Sequence, residues 1–161
     1  YFQALEIGGA DSRNIAMNLG SEDFSADVGM VPDSDILAMP KQQVVIAARA
    51  AGLIPLGLMG TVANFQDLKG IRRAAEMSRR FGIEGASCVH PSNVPILNVA
   101  FSPDLDEIDY AERVVEAYAD ATGNGSGAVT VDGKMIDVPV VRRAELLLAR
   151  WAAIKARHPE G

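Results

Sequence analysis

Along the chain, unbroken apolar runs alternate with stretches whose apolar residues recur at helical spacing. Tyr1–Ala10 reads as a short helix closed by its glycines and the polar DSRN that follows. Asn14–Gly20, NIAMNLG, reads as a buried strand. After a polar loop, Pro40–Gly52 reads as a helix with proline in its first turn and glycine at its end. Leu53–Gly60 is a second strand. Asp67–Gly82 is a helix with Asp at the cap, arginines in the last turn and glycine beyond. Gly85–His90 is a third strand, broken by Pro91.

That order, strand–helix–strand–helix–strand, predicts parallel βαβ units covered by helices, an α/β fold. Functional residues in such folds sit where strands run into the following loops. Both GSED (Gly20–Asp23) and the His90-Pro91 pair fall at such ends. From Asp104 the pattern changes. Asp104–Gly123 is an amphipathic helix with Ile108, Ala111, Val114, Val115 and Tyr118 on one face. Ala128–Val138 reads as a hairpin turning at Asp132-Gly133. Pro139–Arg157 is a last helix with Val140, Ala144, Leu147, Leu148, Trp151 and Ile154 as its stripe. The predicted division is therefore residues 1–103 and 104–161.

The net charge of −6 over 161 residues, with no Lys/Arg block, argues against a nucleic-acid partner. No apolar run reaches the roughly 20 residues a membrane span needs. A single cysteine, Cys88, excludes an intrachain disulfide and suits a reducing cytoplasm. The opening YFQ reads either as the remnant of a protease-site tag or as the native middle of a longer chain.

The acidic loop is the first chemical candidate. If the chain is extended at Glu22 and Asp23, only one of the two faces the space above the sheet. A carboxylate there is expensive to desolvate unless a divalent cation offsets the cost. Oxygen ligands of this kind suit Mg²⁺, which takes one or two protein carboxylates plus substrate oxygens. The alternative is that the pair caps the next segment or faces solvent. His90 is a base, a ligand, or a ring packed and hydrogen-bonded under a loop, the last being favoured. The second histidine, His158, lies far off in the tail, which excludes a multi-His metal site. Cys88 reads as a small buried residue in mid-strand. Asp137 stands at an N-cap position, or is a carboxylate on a projecting hairpin poised over an active site.

Three stretches together, GSEDFSAD, HPSNVPILNVAFSP and VDGKMIDVPVV, resemble the citrate lyase beta-subunit and malyl-CoA lyase family of metal-dependent carbon–carbon lyases. The resemblance runs from Ala4 to about Arg150. It implies the C-terminal part of a (β/α)8 TIM barrel, about strands six to eight, plus a C-terminal hairpin-helix extension. A complete barrel takes about 250 residues, so half of one is expected to fold poorly alone. The resemblance further implies that Asp23 holds Mg²⁺ together with a Glu from before Tyr1. Gly20 and Ser21 let backbone amides approach the substrate, and His90 and Pro91 lie near CoA. Asp137 is the general acid/base, delivered by the extension onto a neighbouring subunit of a homo-oligomer, a trimer or hexamer. The implied reaction is reversible cleavage of a 3-hydroxyacyl-CoA of citryl, citramalyl, malyl or methylmalyl type. Its products are acetyl-CoA, or another acyl-CoA, and a 2-oxo acid. Two other readings remain: a CoA-independent hydroxy-oxo-acid aldolase, whose members lack the MID extension, and a catalytically silent structural subunit. One departure from the family's pattern is Gly57, where an Asp is usual. It implies a smaller, less charged pocket on that side.

Overall fold

The computed structural model describes residues 1–61 and 63–157; His158 lies outside them. It divides into two compact units, Tyr1–Phe101 and Ser102 onward, each with its own core.

In the first unit, α1 (Ala4–Gly9) leads into β1 (Ala16–Met17), α2 (Ser21–Val28), α3 (Ser34–Ala50), β2 (Ile54–Pro55) and α4 (Leu68–Arg80). A 3-10 turn (Pro91–Asn93) then runs into α5 (Val94–Phe101). β1 and β2 pair in parallel, Ala16 opposite Ile54 and Met17 opposite Pro55. The expected third strand is reduced to one parallel bridge, Leu56 with Gly85. The cause is Gly57, whose φ of +139° takes the chain out of the extended conformation. Beyond it, the Met59 amide donates 2.7 Å to the Ser78 hydroxyl on α4 instead of to a strand. That hydroxyl in turn donates to the Ala74 carbonyl, so a fully buried serine is satisfied both ways. Cys88 is consequently exposed rather than buried in mid-strand.

One helix departs from its expected bounds, and another, α5, forms where no element is expected. α3 starts at Ser34, six residues before Pro40, because the Asp33 carboxylate accepts from the Asp35 amide at 2.9 Å and caps it there. Pro40 therefore sits inside the helix. α5 is masked in the sequence by Pro95, which falls in its first turn, where no intrahelical donor is needed. The core of this unit joins Leu58, Met59, Ile71, Ala75 and Ile83 to Leu97, Ala100 and Phe101.

The second unit consists of α6 (Leu105–Gly123), an antiparallel hairpin of β3 (Val129–Val131) and β4 (Lys134–Ile136), and α7 (Val138–Arg157). α6 opens with a reciprocal cap: the Glu107 amide donates to Asp104, and the Asp104 amide to Glu107. The hairpin turns at Asp132 and Gly133, with φ of +49° and +74°, the two positive values that a tight two-residue turn requires. Arg113 on α6 pairs with Asp109 one turn back and with Asp132 at the turn, at 3.0 and 2.8 Å. Ala111, Val114, Val131, Ile136, Val141 and Ala144 form this core. Among the described residues no helix is long and apolar enough to cross a membrane.

Candidate functional site

The chain leaves β1 and enters α2 within four residues, and the site grows from that junction. Gly20 is the N-cap, and the Phe24 amide makes the first helical bond, to the Gly20 carbonyl at 3.0 Å. The amides of Ser21, Glu22 and Asp23 therefore have no acceptor inside the helix. Both acids lie in this first turn, where the helix dipole favours negative charge. The expectation of an extended loop with one acid facing inward is thus corrected: the segment is helical, and both acids border the same cleft. Asp23 is exposed, so its carboxylate is not desolvated in the way the extended reading required.

Two side chains fix the mouth of α2 against the loop after β2. The Ser21 hydroxyl donates to the Gly60 carbonyl at 2.7 Å. The Thr61 hydroxyl donates to the Glu22 carboxylate and accepts from the Ala63 amide. Glu22 is thereby a tether, whereas no described residue pairs with the Asp23 carboxylate. Gly20 keeps space for it: a Cβ at residue 20 would stand 3.3 Å from Asp23 Oδ2.

These residues border a cleft of about 190 Å³, whose walls also include Asn18, Lys41, Gly57 and Ser87. Gly20, Ser21 and Asp23 are thus brought together. Lys41, which sequence reasoning misses, joins them from α3. It is 4 % exposed, and burial pulls its pKa down to about 8. Gly57 faces Asn18 so closely that a Cβ there would lie 2.6 Å from Asn18 Oδ1.

His90, Pro91 and Asp137 are not among the residues bordering this cleft. His90 caps the 3-10 turn, its Nδ1 accepting from the Ser92 amide at 3.2 Å and contacting the Ser92 hydroxyl at 2.7 Å. Its ring stacks on Phe65 with centroids 5.2 Å apart. The ring is exposed, and it is held by these local bonds and the stacking rather than buried under a loop. Asp137, in the second unit, immediately precedes α7. Its carbonyl accepts from the Val140 and Val141 amides at 3.0 Å, and its Oδ1 from Val140 at a long 3.4 Å. The cap is real but the carboxylate is loosely held.

The HpcH/HpaI aldolase/citrate lyase family model matches residues 2–91, which include every residue bordering the cleft. The chain belongs to this family. Citrate lyase subunit beta of Leuconostoc mesenteroides subsp. cremoris is 32% identical over 147 residues, covering 90% of this chain and 48% of that protein. The (3S)-malyl-CoA thioesterase of Cereibacter sphaeroides is 34% identical over 155 residues, covering 95% and 53%. The chain spans about half the length of the curated relatives it matches. Among solved structures, CitE of Mycobacterium tuberculosis in complex with magnesium, acetoacetate and coenzyme A superposes with a TM-score of 0.77 at 28% identity. That match covers 92% of this chain and 56% of the CitE chain.

The two anionic side chains bordering this family member's cleft, Glu22 and Asp23, are both carboxylates. Among the described residues no group of three or more His, Cys, Asp and Glu side chains comes together as a metal cage. A closed zinc site is therefore not built here. One exposed carboxylate in a polar cleft fits Mg²⁺, which keeps several waters and leaves positions for substrate oxygens.

Proposed function

We propose that the protein carrying this chain is a Mg²⁺-dependent carbon–carbon lyase. It reversibly cleaves a 3-hydroxyacyl-CoA thioester to acetyl-CoA, or another short acyl-CoA, and a 2-oxo acid. The observation that carries the reading is the junction of β1 and α2. Asp23 stands there as an untethered carboxylate over Gly20, beside three amides with no acceptor inside the helix, on a cleft sized for a small acid. The first unit, residues 1–103 in this reading, is the C-terminal part of a (β/α)8 barrel; residues 104–161 are an extension. Membership of the family supports this, as do the magnesium and coenzyme A bound by the CitE relative.

Asp23 would hold the metal ion, with Glu22 and Ser21 keeping the first turn of α2 in place. Bound there, Mg²⁺ supplies Lewis acidity that steadies negative charge on the oxo-acid oxygens. The amides of Ser21 and Glu22 point their positive ends at the same region. Asp137 would move the proton: it takes one from the α-carbon of the acyl thioester in condensation and returns it in cleavage. Its weak capping bond leaves the carboxylate able to turn toward a substrate.

The test is release of acyl-CoA from citryl-, citramalyl-, malyl- and methylmalyl-CoA by the whole protein, with and without Mg²⁺. Turnover should require Mg²⁺ and be lost in Asp23→Ala. Asp137→Ala should fall by roughly 10²–10⁴-fold, the size of a lost general acid/base. Unchanged turnover in Asp137→Ala refutes that role, and CoA binding with no turnover on any substrate marks a silent subunit instead.

A further inference from the structure

The inward stripe of α3 runs Leu37, Lys41, Val44 and Ala48, at spacings of four, three and four. That is the spacing of a helix face turned to a core. Three of these residues are apolar and one is a cation. Lys41 is 4 % exposed, borders the cleft with Ser21 and Asp23, and makes no hydrogen bond or ion pair with a described residue. An ammonium in such a place has given up hydration without an anion among the described residues in exchange. The two acids of the cleft do not supply one: Glu22 is engaged by Thr61, and neither acid pairs with the ammonium. Natural proteins break their own packing rules chiefly where a ligand needs it.

We propose that Lys41 is an anion-binding residue of this cleft, its ammonium taking the carboxylate of the 2-oxo acid that the metal ion does not chelate. This rests on the cleft being a 2-oxo-acid site, and it deepens that reading. The acid that suits it best is a dicarboxylic one, whose second carboxylate is a full anionic partner free of the metal ion. Lysine suits this role because it is a compact charge on a flexible stem that can follow a small acid into a cleft.

The experiment is calorimetric titration of oxaloacetate and of pyruvate, each with Mg²⁺, into the whole wild-type protein, Lys41→Met and Lys41→Arg. Circular dichroism on each variant checks folding. Lys41→Met should lose about 10–100-fold in affinity for oxaloacetate, the worth of one charge-assisted hydrogen bond, and less than about twofold for pyruvate. Lys41→Arg, keeping the charge, should retain part of the preference. Should Lys41→Met misfold, Lys41→Gln carries the same comparison. Equal losses for the two acids, or none, overturn the proposal while leaving the oxo-acid site standing. A wild type that binds neither acid in the presence of Mg²⁺ overturns both.

Discussion

Lys41 sets two energies against each other. Its ordinary pKa is 10.5, and burial holds it at about 8 in the folded protein. Between those values the unfolded chain binds a proton that the folded chain does not, so stability rises with pH across that window. Below about pH 8 the folded state carries the full penalty of the buried charge, on the order of 3 kcal/mol. Lys41→Met should therefore be more stable than wild type at pH 7 by an amount of that order. The difference should shrink as pH climbs from 8 toward 10.5, and urea denaturation at several pH values reads it directly. A wild type with no such rise would place the ammonium in solvent. The same residue explains what sequence reasoning misses. With the helix started at Pro40, Lys41 falls in a first turn, where a cation looks like solvated surface. With the start at Ser34 it falls on the stripe of Leu37, Val44 and Ala48. Asp23 stands out only through the family resemblance, because two acids after a glycine read equally well as the first turn of a helix, where the structure places them. The division of labour with Glu22 is not legible, since it depends on Thr61, thirty-nine residues away.

Helix termini are readable where a side chain states them. Asp67 accepts from the Gly70 amide at 2.9 Å and α4 begins where that cap predicts. Asp104 and Glu107 do the same for α6. Asp104→Ala should cost about 1 kcal/mol, the usual worth of a lost N-cap, seen as a lower denaturation midpoint with an unchanged slope. No change would mean that packing of Ala111 and Val114 alone sets where α6 begins. Proline misleads at α3. Pro40 reads as a start and lies inside a helix, which continues because Leu37, Lys41, Val44 and Ala48 face inward on both sides of it. Pro95 lies in the first turn of α5, where its missing amide proton costs no helical bond. The third strand fails for a reason local pattern cannot carry. Its residues suit a strand, but its partner bends away at Gly57, so pairing stops at Leu56. Hairpin signals are the most faithful, because Asp-Gly with positive φ at both positions is a local property.

At the scale of the molecule, each unit has its own core and each holds one half of the proposed chemistry. Asp23 belongs to the first unit and Asp137 to the second. In the proposed chemistry the two acids act together only if an extension serves a barrel, its own or a neighbour's. We expect a neighbour's, in a closed homo-oligomer, and mixing tells the two apart. Asp23→Ala and Asp137→Ala should each be inactive alone. If the proton-moving acid comes from an adjacent subunit, unfolding and reassembling the two variants together in equal amounts creates some sites with both acids intact. Random assembly in a ring makes that roughly a quarter of all sites, since each half is present with even odds. About a quarter of wild-type turnover should then return, and it should peak at equal mixing. If each extension serves its own barrel, every site in every mixture lacks one acid and nothing returns at any ratio. The observable is therefore a curve of activity against mixing ratio, peaked for exchange between subunits and flat at zero for service within one.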